Sequence, residues 1–364
     1  MYNILVINPG STSTKIAFYH DDEQVWKESI EHDPQEIKKY DVIYDQLEMR
    51  TKLVRDTFLA HDEKIEKLSA VMSRGGLLPA HVDEATGKVT TVCSGAYEVT
   101  PYLIETLKTR PINHHASNLG CAIAYKLAQE AGVKAYIYDP VTVDELTDIV
   151  RLTGLKDVRR RGQAHNLNMR AAAIKCCEYN RIDYYSSNIA VAHLGGGITL
   201  SLHSKGQIVD IVSDDEGPFS PERAGLIPDY LLARKVFGES KSYDETMSLL
   251  QRKGGLMSYF GTSDSRVIEK RAQEGDEEAK MVYEAMALGV ARGLARLAVL
   301  VEGKVDHFVL TGGIAYSKYF TDLVIRYAGF LGSFVVIPGE NEMQALANGA
   351  LRVLRKEENA RVYG

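Results

Sequence analysis

Cysteine is scarce in this sequence and poorly placed for cross-linking. The four residues are Cys93, Cys121, Cys176 and Cys177, and none forms a C-x-x-C pair. A disulfide framework is thereby excluded, and the usage fits a reducing compartment. Long uncharged apolar runs are also missing. The longest apolar helix candidate, residues 286–301, carries Arg292 and Arg296, so no membrane partner is expected. The opening Met1-Tyr2-Asn3 has no basic leader and runs straight into Ile4-Leu5-Val6-Ile7, so a cytoplasmic location is expected. Basic residues are not in excess: the formal net charge is −6, which gives no broad electrostatic reason to bind nucleic acid. The local run Arg159-Arg160-Arg161 reads as a solvated loop or helix end. Two phosphate signatures are absent as well. There is no G-x-x-x-x-G-K-[ST] and no G-x-G-x-x-G after the first strand, so any phosphates are held by other means.

What is present is an α/β pattern long enough for two domains, at 364 residues. Strands are predicted at residues 4–7, 134–138, 189–192, 307–310 and 334–337, each largely apolar and followed within three residues by Asn, Asp, Gly or Pro. Helices are predicted at 118–131, 277–301 and 342–355, and the charged segment 152–163 is the expected crossing between domains. One unit occurs twice. Ile4-Leu5-Val6-Ile7-Asn8-Pro9-Gly10 leads into a small-residue turn, an apolar strand, a polar turn and a third strand. Ile189-Ala190-Val191-Ala192-His193-Leu194-Gly195 does the same. Gly10 and Gly195 hold equivalent places, which points to two related domains facing each other.

Three glycine turns directly follow apolar strands. Asn8-Pro9-Gly10-Ser11-Thr12-Ser13-Thr14-Lys15 combines backbone exposure with hydroxyl donors and a cation. His193-Leu194-Gly195-Gly196-Gly197 bares the backbone on the second unit, and Thr311-Gly312-Gly313 precedes a helix. Asp139 ends a strand and precedes Pro140, so it is either a magnesium-site carboxylate or a turn residue. Glu342 either holds a metal-bound water or caps a helix. Arg74 and Arg223 sit beside glycines, where a planar guanidinium can grip a carboxylate or phosphate. His115 and His165 fall in polar loops.

Together these motifs resemble the acetate and sugar kinase, heat-shock-70 and actin superfamily. Within it they look like the carboxylic acid kinases of the acetokinase family, the butyrate kinases most of all. The resemblance rests on Ile7 to Lys15, Ser73-Arg74-Gly75-Gly76-Leu77-Leu78, His115-Ala116-Ser117-Asn118-Leu119-Gly120, Asp139-Pro140-Val141, Ala192 to Gly197, Pro221-Glu222-Arg223-Ala224-Gly225 and Leu310-Thr311-Gly312-Gly313. It implies two duplicated ribonuclease H-like (actin-like ATPase) domains with a cleft between them. Residues 1–150 with a C-terminal helix at 343–364 would form the acid and phosphoryl domain, and 151–342 the nucleotide domain. It further implies ATP/ADP and Mg²⁺ as cofactors, a small carboxylic acid as substrate, and a homodimer or higher homo-oligomer.

By the same resemblance Asn8, Ser11, Ser13 and Lys15 lie beside the transferred phosphoryl group. Arg74 and Arg223 bracket the acyl phosphate. His165 stabilises the moving phosphoryl, although Gln163 and Ala164 beside it depart from the family pattern, and His115 is a second active-site histidine. Asp139, Glu342 and Asn8 stand near Mg²⁺. His193, Gly195, Gly196 and Gly197 contact the distal phosphates, and Asp264, Arg266, Gly312 and Gly313 the adenosine end. Because a carboxylate nucleophile is already ionised, no strong base is needed, and charge neutralisation carries the catalysis. Gly75 and Gly76 stand where acetate kinases have valines, which predicts a roomier acyl pocket. Two extra methylenes at about 0.8 kcal/mol each would favour butyrate over acetate by roughly tenfold. Isobutyrate and acetate are the alternative substrates, and a sugar kinase or a non-catalytic nucleotide sensor of the same superfamily are the alternative functions.

Overall fold

The computed structural model describes residues 1–83, 85–162 and 164–364. Gln163, the end of the predicted crossing segment, lies outside the described residues. The chain divides into two compact units: residues 1–145 with 341–364, and residues 146–340.

In the first unit β1 (Asn3–Pro9), β2 (Ser13–His20) and β3 (Glu23–Glu31) form an antiparallel meander. A short helix α1 (Pro34–Ile37) and α2 (Leu47–Ala60) follow. Then come β4 (Ala70–Arg74), a two-residue ribbon of β5 (His81–Val82) and β6 (Val89–Thr90), β7 (Ala96–Glu98), α3 (Pro101–Thr109), α4 (Leu119–Ala131) and β8 (Ala135–Tyr138). The sheet order is β3-β2-β1-β4-β8-β7. β1 pairs antiparallel with β2 and parallel with β4. Ile4, Leu5, Val6 and Ile7 are all fully buried, as expected of a central strand covered on both faces.

The second unit opens with α5 (Asn166–Asn180). Its meander is β9 (Asn188–Leu194), β10 (Ile198–Ser204) and β11 (Gln207–Val212). Helices α6 (Asp229–Gly238), α7 (Tyr243–Gln251), α8 (Gly255–Phe260), α9 (Ser265–Gln273) and the long α10 (Glu277–Val299) follow. β12 (His307–Gly312), α11 (Lys318–Ala328) and β13 (Phe334–Pro338) complete it. The sheet order is β11-β10-β9-β12-β13, the order of the first sheet without its last antiparallel strand. The match extends to detail. The outer hairpins carry register shifts at Phe18/Tyr19 and at Leu202/His203. The repeated unit seen in the sequence is thus a true duplication.

Strand alternation explains the two cores of the second unit. Ala190, Ala192 and Leu194 of β9 face Met286, Val290 and Leu294 of α10. Ile189 and Val191 face Met169, Ala173 and Cys176 of α5. After β13 the chain returns to the first unit as α12 (Glu342–Leu354), which packs on β1, β4 and β8. That return places Glu342 beside the end of β1. The basic run at 159–161 is not a solvated stretch throughout. Arg160 is partly buried, bonded to Asp210 at 3.0 Å and Glu216 at 2.7 Å, and ties the segment to β11. Among the described residues no helix is long and apolar enough to cross a membrane.

Candidate functional site

In the first unit the β1–β2 hairpin sets the geometry. Its register pairs Asn8 with Lys15 and Pro9 with Thr14. Side chains one strand position apart point to opposite faces. Ser13 and Lys15 therefore share one face, where they line a cavity with Asn8, and Thr14 turns inward and is fully buried. The cavity has a volume of about 430 Å³ and is also lined by Gly10, Arg74, Leu77, His115, Val141 and Glu342. Arg74 ends β4 and Glu342 starts α12, and their side chains form an ion pair. The other oxygen of Glu342 accepts from Asn8 Nδ2 at 2.8 Å. The remaining donors of Arg74 meet no acceptor among the described residues. His115 Nδ1 accepts the N–H of Ser117 at 3.1 Å, so the ring proton resides on Nε2. Burial and the charges of Arg74 and Arg50 hold its pKa below the ordinary histidine value, leaving a neutral imidazole at pH 7.

Two expected members are placed differently. Ser11 is exposed at the tip of the turn and does not line this cavity. Asp139 stands one residue beyond Tyr138, the register partner of Arg74, but its carboxylate is buried and accepts the Gly95 N–H at 2.6 Å. Among the described residues no three His, Cys, Asp or Glu side chains converge as a metal cluster. The donor set fits a hydrated magnesium ion, which uses one or two carboxylates plus substrate phosphates and water. Glu342 and Asn8 supply that kind of set.

The glycines at 75 and 76 do not enlarge the cavity, contrary to the sequence-based expectation. A side chain at Gly75 would meet Pro140 at 2.8 Å, and one at Gly76 would meet Asn118 at 2.9 Å. Neighbouring chain already occupies the space that the missing side chains leave. Gly76 also has φ +63°, a conformation glycine adopts freely.

The second unit repeats the arrangement with other residues. His193 holds the place of Asn8 and pairs in register with Thr199. It is buried, lies 3.0 Å from Glu340 and stacks on His165 with ring centroids 4.3 Å apart. His165 precedes α5, and its Nδ1 lies 2.9 Å from Thr199 Oγ1. A β-carbon at Gly197 would sit 3.8 Å from both His165 and Arg223, so these two gather around the turn. The loop bearing Arg223 is clipped to Gly196 by Ser220 Oγ, which donates to its carbonyl at 2.7 Å. Arg223 Nε donates to Asp214 at 2.9 Å. Beyond this group lies a cavity of about 940 Å³ lined by Gly195, Gly196, Asp264, Arg266, Gly313, Ile314, Tyr316 and Glu340. Asp264 caps α9 and pairs with Arg266 at 2.7 Å. Gly312 is not in the lining. Its φ is +90°, and a β-carbon there would come within 2.5 Å of the Leu194 carbonyl oxygen, so it is a backbone-packing glycine.

The acetokinase family model matches residues 155–361, more than half of the chain. The chain belongs to the acetokinase family. Solved structures of the same fold include the acetate kinase of Porphyromonas gingivalis, with TM-score 0.77 and 20% identity over 97% of this chain and 100% of that one. A propionate kinase from Francisella tularensis matches with TM-score 0.72 and 18% identity over 96% of this chain and 99% of that one. The acetate kinase of Entamoeba histolytica matches with TM-score 0.71 and 16% identity over 95% and 98%. An acetokinase is a carboxyl-group kinase, and the two sheet-based domains described above are its fold.

Sequence reasoning missed one site residue. Arg50 of α2 is 1% exposed and binds the carbonyls of Gly10 and Ser11 from behind the turn. A signal existed: Arg50, Val54 and Phe58 are the buried residues of α2, at i, i+4 and i+8, so a charge sits on the helix's apolar stripe.

Proposed function

We propose that this acetokinase transfers the terminal phosphoryl group of ATP to a short-chain fatty acid, butyrate or a close C3–C5 relative, reversibly and by direct in-line displacement. The observation that carries this reading is the Arg74–Glu342 pair on the first-unit cavity. Arg74 keeps unpartnered donors for a carboxylate, and Pro9, Leu77 and Val141 offer an apolar wall for its tail. The motif resemblance supports butyrate within that range. The glycines at 75 and 76 do not contribute to it.

The acid is ionised at neutral pH, so these residues need only orient it and offset charge. Arg74 grips the carboxylate. Neutral His115 donates from Nε2. Lys15, Ser13 and the turn at Gly10 offer a cation and donors to the phosphoryl oxygens. In the second unit Arg223 and His165 offer the same to the phosphates, and the cavity lined by Gly195, Gly196, Asp264 and Gly313 accommodates the nucleoside. Magnesium, when bound, neutralises the phosphate oxygens, and Glu342 with Asn8 would hold it.

Incubation with ATP, Mg²⁺, hydroxylamine and a panel of acids tests the proposal. Hydroxamate from C3–C5 acids, with none dependent on glycerol or glucose, is the expected result. ATP consumption driven by a sugar and not by any acid would refute it.

A further inference from the structure

Arg50 is a buried cation that the mechanism above does not use. It projects from α2 onto the face of the β1–β2 hairpin opposite Lys15. Its Nε donates to Gln46 Oε1 at 3.0 Å, its Nη1 to the Gly10 carbonyl at 2.8 Å and Thr14 Oγ1 at 3.2 Å, and its Nη2 to the Ser11 carbonyl at 3.2 Å. Every acceptor is neutral, and among the described residues no carboxylate lies within ion-pair distance. Burial lowers its pKa only to about 10, so it is charged at neutral pH. An uncompensated buried charge costs several kcal/mol. Joining α2 to the hairpin alone does not require that charge.

The peptide geometry supplies a reason. In a trans peptide the C=O and N–H point in opposite directions. With the Gly10 and Ser11 carbonyls held inward, the N–H groups of Ser11 and Thr12 point away from the guanidinium. Neither donates to any group among the described residues, whereas the Gly10 N–H is tied to the Ser13 carbonyl at 2.7 Å. Two successive outward N–H groups make an anion-binding concavity, and a cation beneath them deepens its potential. We infer that Arg50 is a positioning residue for phosphoryl transfer, holding the turn between the cavity-lining Gly10 and Ser13 so that the Ser11 and Thr12 N–H groups are presented from the cavity's edge to the phosphoryl oxygens. This rests on the reading of that turn as the phosphoryl site.

The experiment compares wild type with Arg50→Lys, Arg50→Met and Arg50→Ala. Thermal melts select the variants that fold. In folded variants kcat for acyl phosphate formation is expected to fall about 100-fold, with KM for the acid changed less than about threefold. Added guanidinium should restore Arg50→Ala about tenfold, and sodium at equal ionic strength should not. A folded variant with near-normal kcat overturns the inference. So does a loss that cooling repairs while guanidinium has no effect. Wild-type turnover separates this failure from failure of the proposed function. If wild type phosphorylates no acid, the parent reading is lost, and the turn is judged by inorganic phosphate. Phosphate should raise the melting temperature of wild type and not of Arg50→Met or Arg50→Lys. Equal shifts, or no shift in wild type, overturn the inference.

Discussion

Gly75→Ala separates packing from substrate selection. The new methyl would sit 2.8 Å from both Cα and Cγ of Pro140, closer than carbon atoms approach without repulsion. Pro140 follows β8 and is rigid, so relief requires movement of the chain after Asp139. Overpacking of this kind costs about 1–3 kcal/mol. In a domain of this size that lowers the melting temperature by roughly 2–12 °C. The acid preference should not change, because Gly75 does not line the cavity holding Arg74, Leu77 and Val141. Were the glycine gap the seat of the acyl tail, one methyl would displace about one methylene of substrate. The butyrate-to-acetate ratio of kcat/KM would then drop about fourfold, from about 0.8 kcal/mol. Thermal melts and kcat/KM for C2 to C5 acids read both effects together. A variant with wild-type stability and a lowered butyrate preference would refute this reasoning.

Arg223→Ala should keep the fold, since among the described residues its guanidinium bonds only to the Asp214 and Glu222 carboxylates and to the Gln251 carbonyl at the end of α7. It should lower kcat by about two orders of magnitude or more, as loss of a charge-stabilising donor does; near-normal kcat in a folded variant would remove Arg223 from the active site. Stability should also depend on acid. Burial and the Arg50 charge push His32 down to about 4. Burial and Arg170 push His203 down to about 3. Both rings are neutral in the fold, whereas the unfolded chain takes up protons near pH 6.5. Their contribution is complete above that value and is lost as pH falls towards 4 and then 3. Denaturant midpoints between about pH 7.5 and 4.5 should decline, and less steeply in His203→Gln; a flat profile would contradict the assignment.

Much of the architecture was legible because strand periodicity and the small-residue turns are local signals. The repeat of residues 4–10 at 189–195 announced the duplicated meander, and the structure pairs Asn8 with Lys15 and His193 with Thr199 in corresponding places. What the sequence hid is non-local. Nothing in residues 73–78 reveals that Pro140 fills the space beside Gly75. The hydrogen bonds from Arg50 to Gly10 and Ser11 span 40 and 39 residues. Glu342 reaches Asn8 across 334 residues because α12 returns to the first sheet. Asp139 shows the opposite limit: its position at a strand end was plain, but its bond to the Gly95 amide was not.

The most direct test of the central claim is single-turnover acyl phosphate formation by Arg74→Ala, alongside nucleotide binding to the same variant. Arg74 belongs to the first-unit cavity, and the nucleoside reading uses second-unit residues. ATP affinity should therefore stay within about threefold of wild type while the transfer rate falls about 100-fold or more. A folded Arg74→Ala protein that phosphorylates short acids at the wild-type rate would contradict the account.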